Sequence, residues 1–245
     1  MELAMVAKEL GAARPTLHMN KHLSSLASRL FSPGERSALR RLLTEFRISR
    51  YHREGLRRIR RMSWSRPSKL NLGSGKHPKE GYLNIDLFPG ADLTLDLRRD
   101  LPFESNCCEE IFSEHCIEHI DYPVTAYNLF RECFRILKPS GFLRFSVPDT
   151  EWPLTDYAKG RDAEYFCACK ENPWWHPTYC TTRLEQINHH FRQGDEHRFA
   201  YDEETARKVL ETVGFQDVRR VSFDPRIDSK HREIGSLFMS ARRPA

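Results

Sequence analysis

The first 66 residues carry apolar side chains at the three- and four-residue spacing of helices. Ser32, Pro33 and Glu35 are typical of a helix start, with a serine N-cap, a proline at the first helical position and a glutamate three residues after the cap. The apolar positions are Leu23, Leu26 and Leu30, then Leu39, Leu42, Leu43 and Phe46, and then Leu56, Ile59 and Met62. Pro67 breaks the pattern. We therefore expect a basic helical extension over residues 1–66 that packs on the rest of the protein.

Beyond residue 66 the apolar residues come in short runs, which predict β-strands. The runs cover residues 69–72, 82–86, 91–96, 110–113, 142–147, 215–223 and 236–241. One helix opens at Pro123 before the fifth run, and another lies between an Asp202 cap and Gly214 before the sixth. Strands that alternate with helices predict a mostly parallel α/β sheet. A charge-rich loop joins the last two runs, and we expect them to form an antiparallel pair.

The connections after the first two predicted strands are short. Residues 76–81 separate Gly73-Ser74-Gly75, which follow the first strand, from the second strand, and about five residues separate the second strand from the third. A parallel crossover usually needs a dozen or more residues and a helix, so we expect the first two helices to be shortened or lost. Bare apolar sheet surface costs roughly 25 cal/mol per Å², so we expect the N-terminal helices to cover it. Residues 148–201 are aromatic, histidine-rich and irregular, which predicts an insertion over the sheet edge.

Composition narrows the function classes. No apolar run approaches the ~20 residues of a membrane span, and the N-terminus does not resemble a secretory signal. Seven cysteines without a C-x-x-C pair are expected to be reduced thiols of a cytoplasmic protein. Residues 35–66 hold eleven arginines against three glutamates, a net +8, which leaves −3 for the rest of a chain of net charge +5. We therefore expect no tight nucleic-acid binding and read the basic helix as a solvated face, although RNA or an acidic lipid surface could meet it.

A glycine turn follows the first predicted strand. Gly73 and Gly75 would let the backbone approach a ligand closely, although a turn needed only for structure fits the same pattern. A dinucleotide fingerprint would need a third glycine at the position of Pro78, which argues against NAD and FAD. Asp86 and Asp96 end the next two strands, at the sheet edge where ligands bind in α/β folds.

In order along the chain, LNLGSG, NID, TLDL, DLPF, EEIFSEHCIEHI and FRILKPSGFLRFSVP resemble the class I S-adenosylmethionine-dependent methyltransferases. The resemblance covers residues 68–150 well and reaches the C-terminus more loosely. It implies a Rossmann-like seven-stranded sheet in the order 3-2-1-4-5-7-6, with the seventh strand antiparallel, in a methyltransferase domain over residues 67–245. It also implies S-adenosylmethionine as the cofactor.

The resemblance further implies the cofactor contacts. Leu72, Gly73, Ser74 and Gly75 would lie beside the methionine moiety, Asp86 would hold the ribose hydroxyls, and Leu87 would lie next to the adenine. Asp96 and Leu97 would flank the adenine edge, and Glu114 and His115 would line the pocket near the sulfonium.

Methyl transfer to an oxygen needs an acceptor that loses its proton, so a base helps. We expect His119 first and His189 second, with His115, His190 and Asp149 as the other candidates, although any one histidine could be a hydrogen-bonded structural residue. The resemblance also implies that the insertion at about 148–201 lies on the acceptor side. No tight ligand spacing demands a metal. Asn/Asp-Pro-Pro-aromatic and Pro-Cys signatures of nucleobase methylation are missing.

These observations favour O-methylation of a sugar, glycan or other small hydroxylated metabolite. One alternative is an RNA methyltransferase steered by the basic helices. Another is an inactive methyltransferase-like partner subunit, which the retained glycines and Asp86 disfavour. A homodimer is compatible with the sequence.

Overall fold

The computed structural model describes residues 31–62, 66–87 and 90–245. Its strands are β1 (Lys69–Leu72), β2 (Leu83–Asp86), β3 (Leu93–Thr94), β4 (Cys108–Glu114), β5 (Leu137–Pro148), β6 (Gln216–Val221) and β7 (Ser236–Arg242). Its α-helices are α1 (Pro33–Met62), α2 (Val124–Ile136), α3 (Glu151–Lys159), α4 (Glu164–Glu171), α5 (Arg183–Arg192) and α6 (Glu203–Val213).

The seven strands form one sheet in the order β3-β2-β1-β4-β5-β7-β6. Strands β1 to β5 pair in parallel, and β7 is antiparallel to both β5 and β6. This confirms the predicted Rossmann-like α/β class and the predicted antiparallel pair. It also places the carboxyl ends of β1, β2 and β4 side by side at one edge of the sheet.

The first two crossovers are short, as predicted. Among residues 66–87 and 90–107 no helix separates β1, β2, β3 and β4, whereas α2 makes a full crossover between β4 and β5. The core lies on the sheet: Leu70, Ile85, Ile111, Phe145 and Met239 are almost wholly buried. Each of these side chains comes from a different strand, so the core packs against most of the sheet and fixes the positions of the strand ends.

The helical extension begins as predicted. The backbone N–H of Ser32 donates to the Glu35 carboxylate (2.7 Å), and the N–H of Glu35 donates to Ser32 Oγ (3.3 Å), so each satisfies a donor that the helix start would leave free. The C-terminal half of α1 then packs on the β3 edge. There Thr94 Oγ1 donates to the carbonyl of Tyr51 (2.9 Å), and Ile59 is buried.

The apolar stripe of α1 contacts the core only in its C-terminal half. Leu39, Leu42, Leu43, Phe46 and Met62 are exposed, Phe46 by 65%, whereas Leu56 and Ile59 do join the core. A 30-residue helix is about 45 Å long, and β3 has two residues, so the N-terminal half of α1 extends past the sheet. Leu23, Leu26 and Leu30 lie outside the described residues.

The insertion is helical, which corrects the prediction of an irregular segment. Helices α3, α4 and α5 are eight to ten residues long, too short for a clear apolar period in the sequence. They enclose a small core of their own, formed by Tyr165, Phe166, Cys169 and Ile187. The helices of the insertion therefore pack around a hydrophobic cluster that is separate from the core of the main sheet.

Within the described part of the chain, no helix has both the length and the apolar character that a membrane crossing requires.

Candidate functional site

A cleft of about 230 Å³ opens at the carboxyl ends of β1, β2 and β4. It is lined by Asn71, Gly73, Ser74, Gly75, His77, Asp86, Glu114, His115, Cys116, His119, Ser229, His231 and Arg232. The strand ends supply one wall and the loop between β6 and β7 supplies the other. Most of the predicted cofactor residues therefore share a single cleft.

The glycine turn forms the floor of this cleft. The N–H groups of Gly73 and Ser74 both donate to the carbonyl of Ile85 (2.8 and 3.1 Å), which fixes the turn to β2. Gly73 has φ +71°, and a Cβ there would overlap the side chain of Cys116. Gly75 has φ +52°, and its missing Cβ faces open space. A ligand can therefore approach the backbone at Gly75, while Gly73 is required by packing.

Asp86 stands at the end of β2 beside the turn. Its Oδ2 accepts a hydrogen bond from the N–H of Gly75 (2.8 Å), so the carboxylate and the turn are held together. Leu72 is buried directly below the turn, and Leu87 is half-buried beside Asp86. The buried hydroxyl of Ser74 has no hydrogen-bond partner. Backbone room, a carboxylate at the β2 end and an orphaned hydroxyl suit a nucleoside-containing cofactor.

Asp96 and Leu97 do not line the cleft. The Asp96 carboxylate accepts hydrogen bonds from Arg98 Nε (2.8 Å) and Arg98 Nη2 (3.0 Å), and Leu97 is part of the core. Burial alone would raise the pKa of Asp96, but the hydrogen bonds from Arg98 and the charge of Arg99 lower it below its usual value. The structure thus uses this carboxylate to tie β3 to α1, through Arg98 and Glu45.

Glu114 ends β4 and His115 follows it; Glu114 contacts the loop between β6 and β7, and His115 contacts the first residue of β7. The Glu114 carboxylate accepts from the N–H of Ser229 (2.8 Å) and from its hydroxyl (2.6 Å). His115 Nε2 is 2.7 Å from Ser236 Oγ. Burial lowers the pKa of His115 well below its ordinary value, so this imidazole is neutral and its Nε2 is engaged by a hydroxyl. Together these contacts hold the β6–β7 loop and the start of β7 against the cleft.

Glu118 follows in a short 3₁₀ turn, Ile117–His119. Its side chain is almost completely buried, and neither carboxylate oxygen has a hydrogen-bond partner. The nearest basic atoms are His115 Nδ1 at 3.5 Å and His119 Nε2 at 4.0 Å from Oε1. Burial raises the pKa of Glu118 to about 7. An acidic group of this kind is uncommon outside functional sites.

His119 lines the cleft and is partly exposed. Its Nδ1 lies 3.0 Å from the carbonyl oxygen of Glu196, and its ring meets the ring of His197 edge-on, with centroids 5.0 Å apart. His197 belongs to the segment that follows α5. The insertion therefore reaches the cleft at His119.

The remaining predicted catalytic residues lie away from the cleft. Asp149 pairs with Arg220 (2.5 Å) and lines a second cavity of about 500 Å³ between α3 and the β6–β7 loop. His190 Nε2 contacts the Asp149 carbonyl (3.1 Å), and burial lowers the pKa of His190 to about 4. Burial also lowers the pKa of His189, which packs near His176. The structure does not bring these three residues together with His119 at the cleft.

Sequence reasoning missed Glu118, Ser229 and Arg232. A signal for Glu118 was present, because Glu114-His115 and Glu118-His119 repeat the same acid–histidine pair four residues apart. No comparable pattern marks Ser229 or Arg232, because they come to the cleft on a loop more than 100 residues away in sequence.

Residues 81–145 match the family model described as a methyltransferase domain. Three solved structures similar to this one are two S-adenosylmethionine-dependent methyltransferases and a phosphoethanolamine N-methyltransferase. One from Archaeoglobus fulgidus is 16% identical, with 76% of this chain and 91% of that chain covered and a TM-score of 0.46. One from Mesorhizobium loti is 16% identical, with 73% and 92% covered and a TM-score of 0.43. Phosphoethanolamine N-methyltransferase 2 from Haemonchus contortus, solved with S-adenosyl-L-methionine, is 16% identical, with 79% of this chain and 53% of that chain covered and a TM-score of 0.40.

No curated protein matches the sequence. The family-model match spans β2, β3, β4, α2 and most of β5, and it includes five of the thirteen residues that line the cleft: Asp86, Glu114, His115, Cys116 and His119. The chain therefore contains a segment, residues 81–145, that is similar to a methyltransferase domain. This segment is part of a Rossmann-like sheet of order β3-β2-β1-β4-β5-β7-β6, in which the glycine turn and Asp86 are held together at one cleft.

Proposed function

We propose that this chain is a class I methyltransferase that depends on S-adenosylmethionine and transfers its methyl group to a hydroxyl of a sugar, glycan or other small hydroxylated metabolite. The observation that carries the proposal is the position of His119, which lies where the cofactor cleft meets the insertion. In this position the acceptor enters from the insertion side and places its hydroxyl against His119, while the cofactor occupies the glycine-turn side.

In this proposal the turn from Leu72 to Gly75 holds the methionine portion of the cofactor, and Asp86 accepts hydrogen bonds from the ribose hydroxyls. When bound, S-adenosylmethionine supplies a methyl group already activated on a positively charged sulfonium. Glu114 and His115 act by holding the β6–β7 loop over the cleft, as their contacts with Ser229 and Ser236 support.

The chain's own contribution to the chemistry is alignment and removal of one proton. With S-adenosylmethionine bound, the acceptor oxygen would take its methyl group and the electron pair of the carbon–sulfur bond would stay on sulfur, so the chain would need only to align the acceptor and receive its proton. We place the departure of the proton at the Glu118–His119 pair. His115, with its Nε2 on a hydroxyl, and His190, with its Nε2 on a carbonyl, are less suited to receive it.

The cofactor half of the proposal is tested by calorimetry with S-adenosylmethionine. Asp86→Ala removes hydrogen bonds worth about 1.5–3 kcal/mol each to a charged partner, so the affinity falls by at least about tenfold. Asp162→Ala is the matched control, because this exposed carboxylate lines neither cavity. Equal affinities for the two folded variants would remove Asp86 from the cofactor site.

The acceptor half is tested by a methyl-transfer screen with radiolabelled cofactor across glycans, small hydroxylated metabolites, small amines and RNA. Label on a hydroxyl compound, at a rate that falls about 10²–10⁴-fold in His119→Ala, is the expected result. Label on RNA or on an amine, with no hydroxyl acceptor, would overturn the acceptor assignment and leave the cofactor assignment intact.

A further inference from the structure

We propose that Glu118, His119 and His197 form a binding site for a divalent transition-metal ion, with Zn²⁺ as the best match. The site lies at the junction of the cofactor cleft and the insertion. Two residues come from the 3₁₀ turn after β4, and the third comes from the segment after α5.

The ligand atoms are already close. One nitrogen of each imidazole and one oxygen of the carboxylate lie within 4.8 Å of one another. Bonds of about 2.0–2.1 Å to a tetrahedral ion require ligand atoms about 3.4 Å apart. Small side-chain rotations close this difference, because His119 and His197 are only partly buried and their rings already touch.

The hydrogen bonds of the two imidazoles orient them for this purpose. His119 Nδ1 lies 3.0 Å from the carbonyl oxygen of Glu196, and His197 Nδ1 lies 3.1 Å from the carbonyl oxygen of His190. A carbonyl oxygen only accepts, so each Nδ1 carries the proton and each Nε2 keeps its lone pair. Metal-bound histidines typically have this arrangement, in which the second nitrogen donates to a carbonyl or carboxylate.

The carboxylate is an independent observation. Glu118 is 1% exposed, and both of its oxygens are buried without a hydrogen-bond partner. Buried carboxylates are normally paired or bound to a metal. Arg232 lines the cleft, and its positive charge attracts the Glu118 carboxylate. It donates no hydrogen bond to either oxygen of Glu118.

The ligand set selects the kind of ion. Two imidazole nitrogens and one carboxylate suit Zn²⁺ and its first-row neighbours, whereas Mg²⁺ and Ca²⁺ prefer oxygen ligands throughout. Three protein ligands leave a fourth position, and His119 places that position on the cleft side. This consequence rests on the proposed function and refines its proton step. With the ion bound, Glu118 and His119 would be ligands rather than proton acceptors, and the acceptor hydroxyl would coordinate at the fourth position and lose its proton to solvent more readily.

The test is calorimetric titration of the purified full chain with Zn²⁺, without cofactor, after dialysis against a chelator. One equivalent should bind with a low-micromolar or tighter dissociation constant. Glu118→Gln and His197→Ala should each weaken binding at least about a hundredfold, since even losing an outer-sphere partner costs 10–100-fold. His231→Ala, an exposed histidine outside the three, should bind Zn²⁺ as the unchanged protein does.

Co²⁺ provides a second readout. Its visible absorption should show a nitrogen- and oxygen-ligated ion, without the intense near-ultraviolet band of thiolate ligands, because seven free cysteines offer a competing site. The proposal is overturned if the unchanged protein binds neither ion below about 100 µM, if both ligand variants bind normally, or if the spectrum is that of thiolates. Cofactor affinity measured after chelation keeps this result separate from the proposed function.

Discussion

The two glycines of the cofactor turn should respond differently to the same substitution. Gly73 and Gly75 both have positive φ values, +71° and +52°, so alanine is strained at either position. At Gly73 the new Cβ would also come closer than 3.0 Å to the Cβ and Sγ of Cys116, whereas at Gly75 no heavy atom lies within 4 Å. One substitution therefore adds a steric clash to the strain, and the other adds the strain alone.

The magnitudes follow from these environments. Left-handed backbone costs a non-glycine residue about 1–2 kcal/mol, which is the full expectation for Gly75→Ala. Forcing an extra carbon into a packed site adds about 1–3 kcal/mol, so Gly73→Ala should lose about 2–5 kcal/mol in all. The effect on the cofactor is reversed. The Cβ at residue 75 enters the cleft, so Gly75→Ala should weaken S-adenosylmethionine binding although it unfolds less easily than Gly73→Ala.

Urea unfolding followed by circular dichroism gives the stabilities, and calorimetry gives the cofactor affinities. Cys116→Gly removes both atoms that clash with the new Cβ at residue 73. Gly73→Ala should therefore cost less stability in the Cys116→Gly background than in the unchanged protein. Equal destabilisation by the two alanines, or no rescue in the double variant, would refute the steric explanation. Unchanged cofactor affinity in Gly75→Ala would show that the open space beside this residue is not used by the ligand.

Three further substitutions test the supporting structure. Burial lowers the pKa of His52 in the fold. The neutral imidazole therefore contributes its full stability above the unfolded pKa of about 6.5, and this stability falls as the pH drops below that value. The melting temperature of His52→Gln should change less between pH 7.5 and 5.5 than that of the unchanged protein. Arg144→Met leaves the carboxylate of Asp228 buried without its partner and should cost about 3–5 kcal/mol in urea unfolding. Gly55→Ala places a Cβ against a β3 carbonyl and should cost about 1–3 kcal/mol in urea unfolding. Gly34→Ala is the control, because its new Cβ meets no atom closer than 3.9 Å and so causes no clash. Equal losses of stability in the two variants would mean that α1 does not pack closely on β3.

Most of the sheet could be predicted from the sequence because its signals are local. The glycine turn, Asp86 at a strand end and the short connections each depend on a few neighbouring residues. The strand order came from the resemblance. Asp202 and Gly214 likewise bound a helix as predicted, since Asp202 caps its start and Gly214 ends it in the left-handed region. Patterns of this kind need no knowledge of distant parts of the chain.

The features that the sequence did not reveal depend on distant contacts. An apolar stripe predicts that a helix has an apolar face, but not how long its partner is, and β3 is too short to cover Phe46. His189 and His190 were predicted to lie near His119 because their segments were expected to meet at the carboxyl edge of the sheet. In the structure, α5 places His189 and His190 in contact with other residues of the insertion, and His197 is the histidine whose ring meets that of His119.

The position of β7 has a consequence for biosynthesis. This strand follows every other strand in the sequence, yet it lies inside the sheet, between β5 and β6, and Leu143 pairs with Ala241 across almost a hundred residues. On the ribosome, β5 emerges with one edge unpaired and keeps it until β7 leaves the exit tunnel. Unpaired strand edges are where nascent chains associate wrongly. The nascent protein therefore passes through a stage in which chaperone binding to the β5 edge would be most useful.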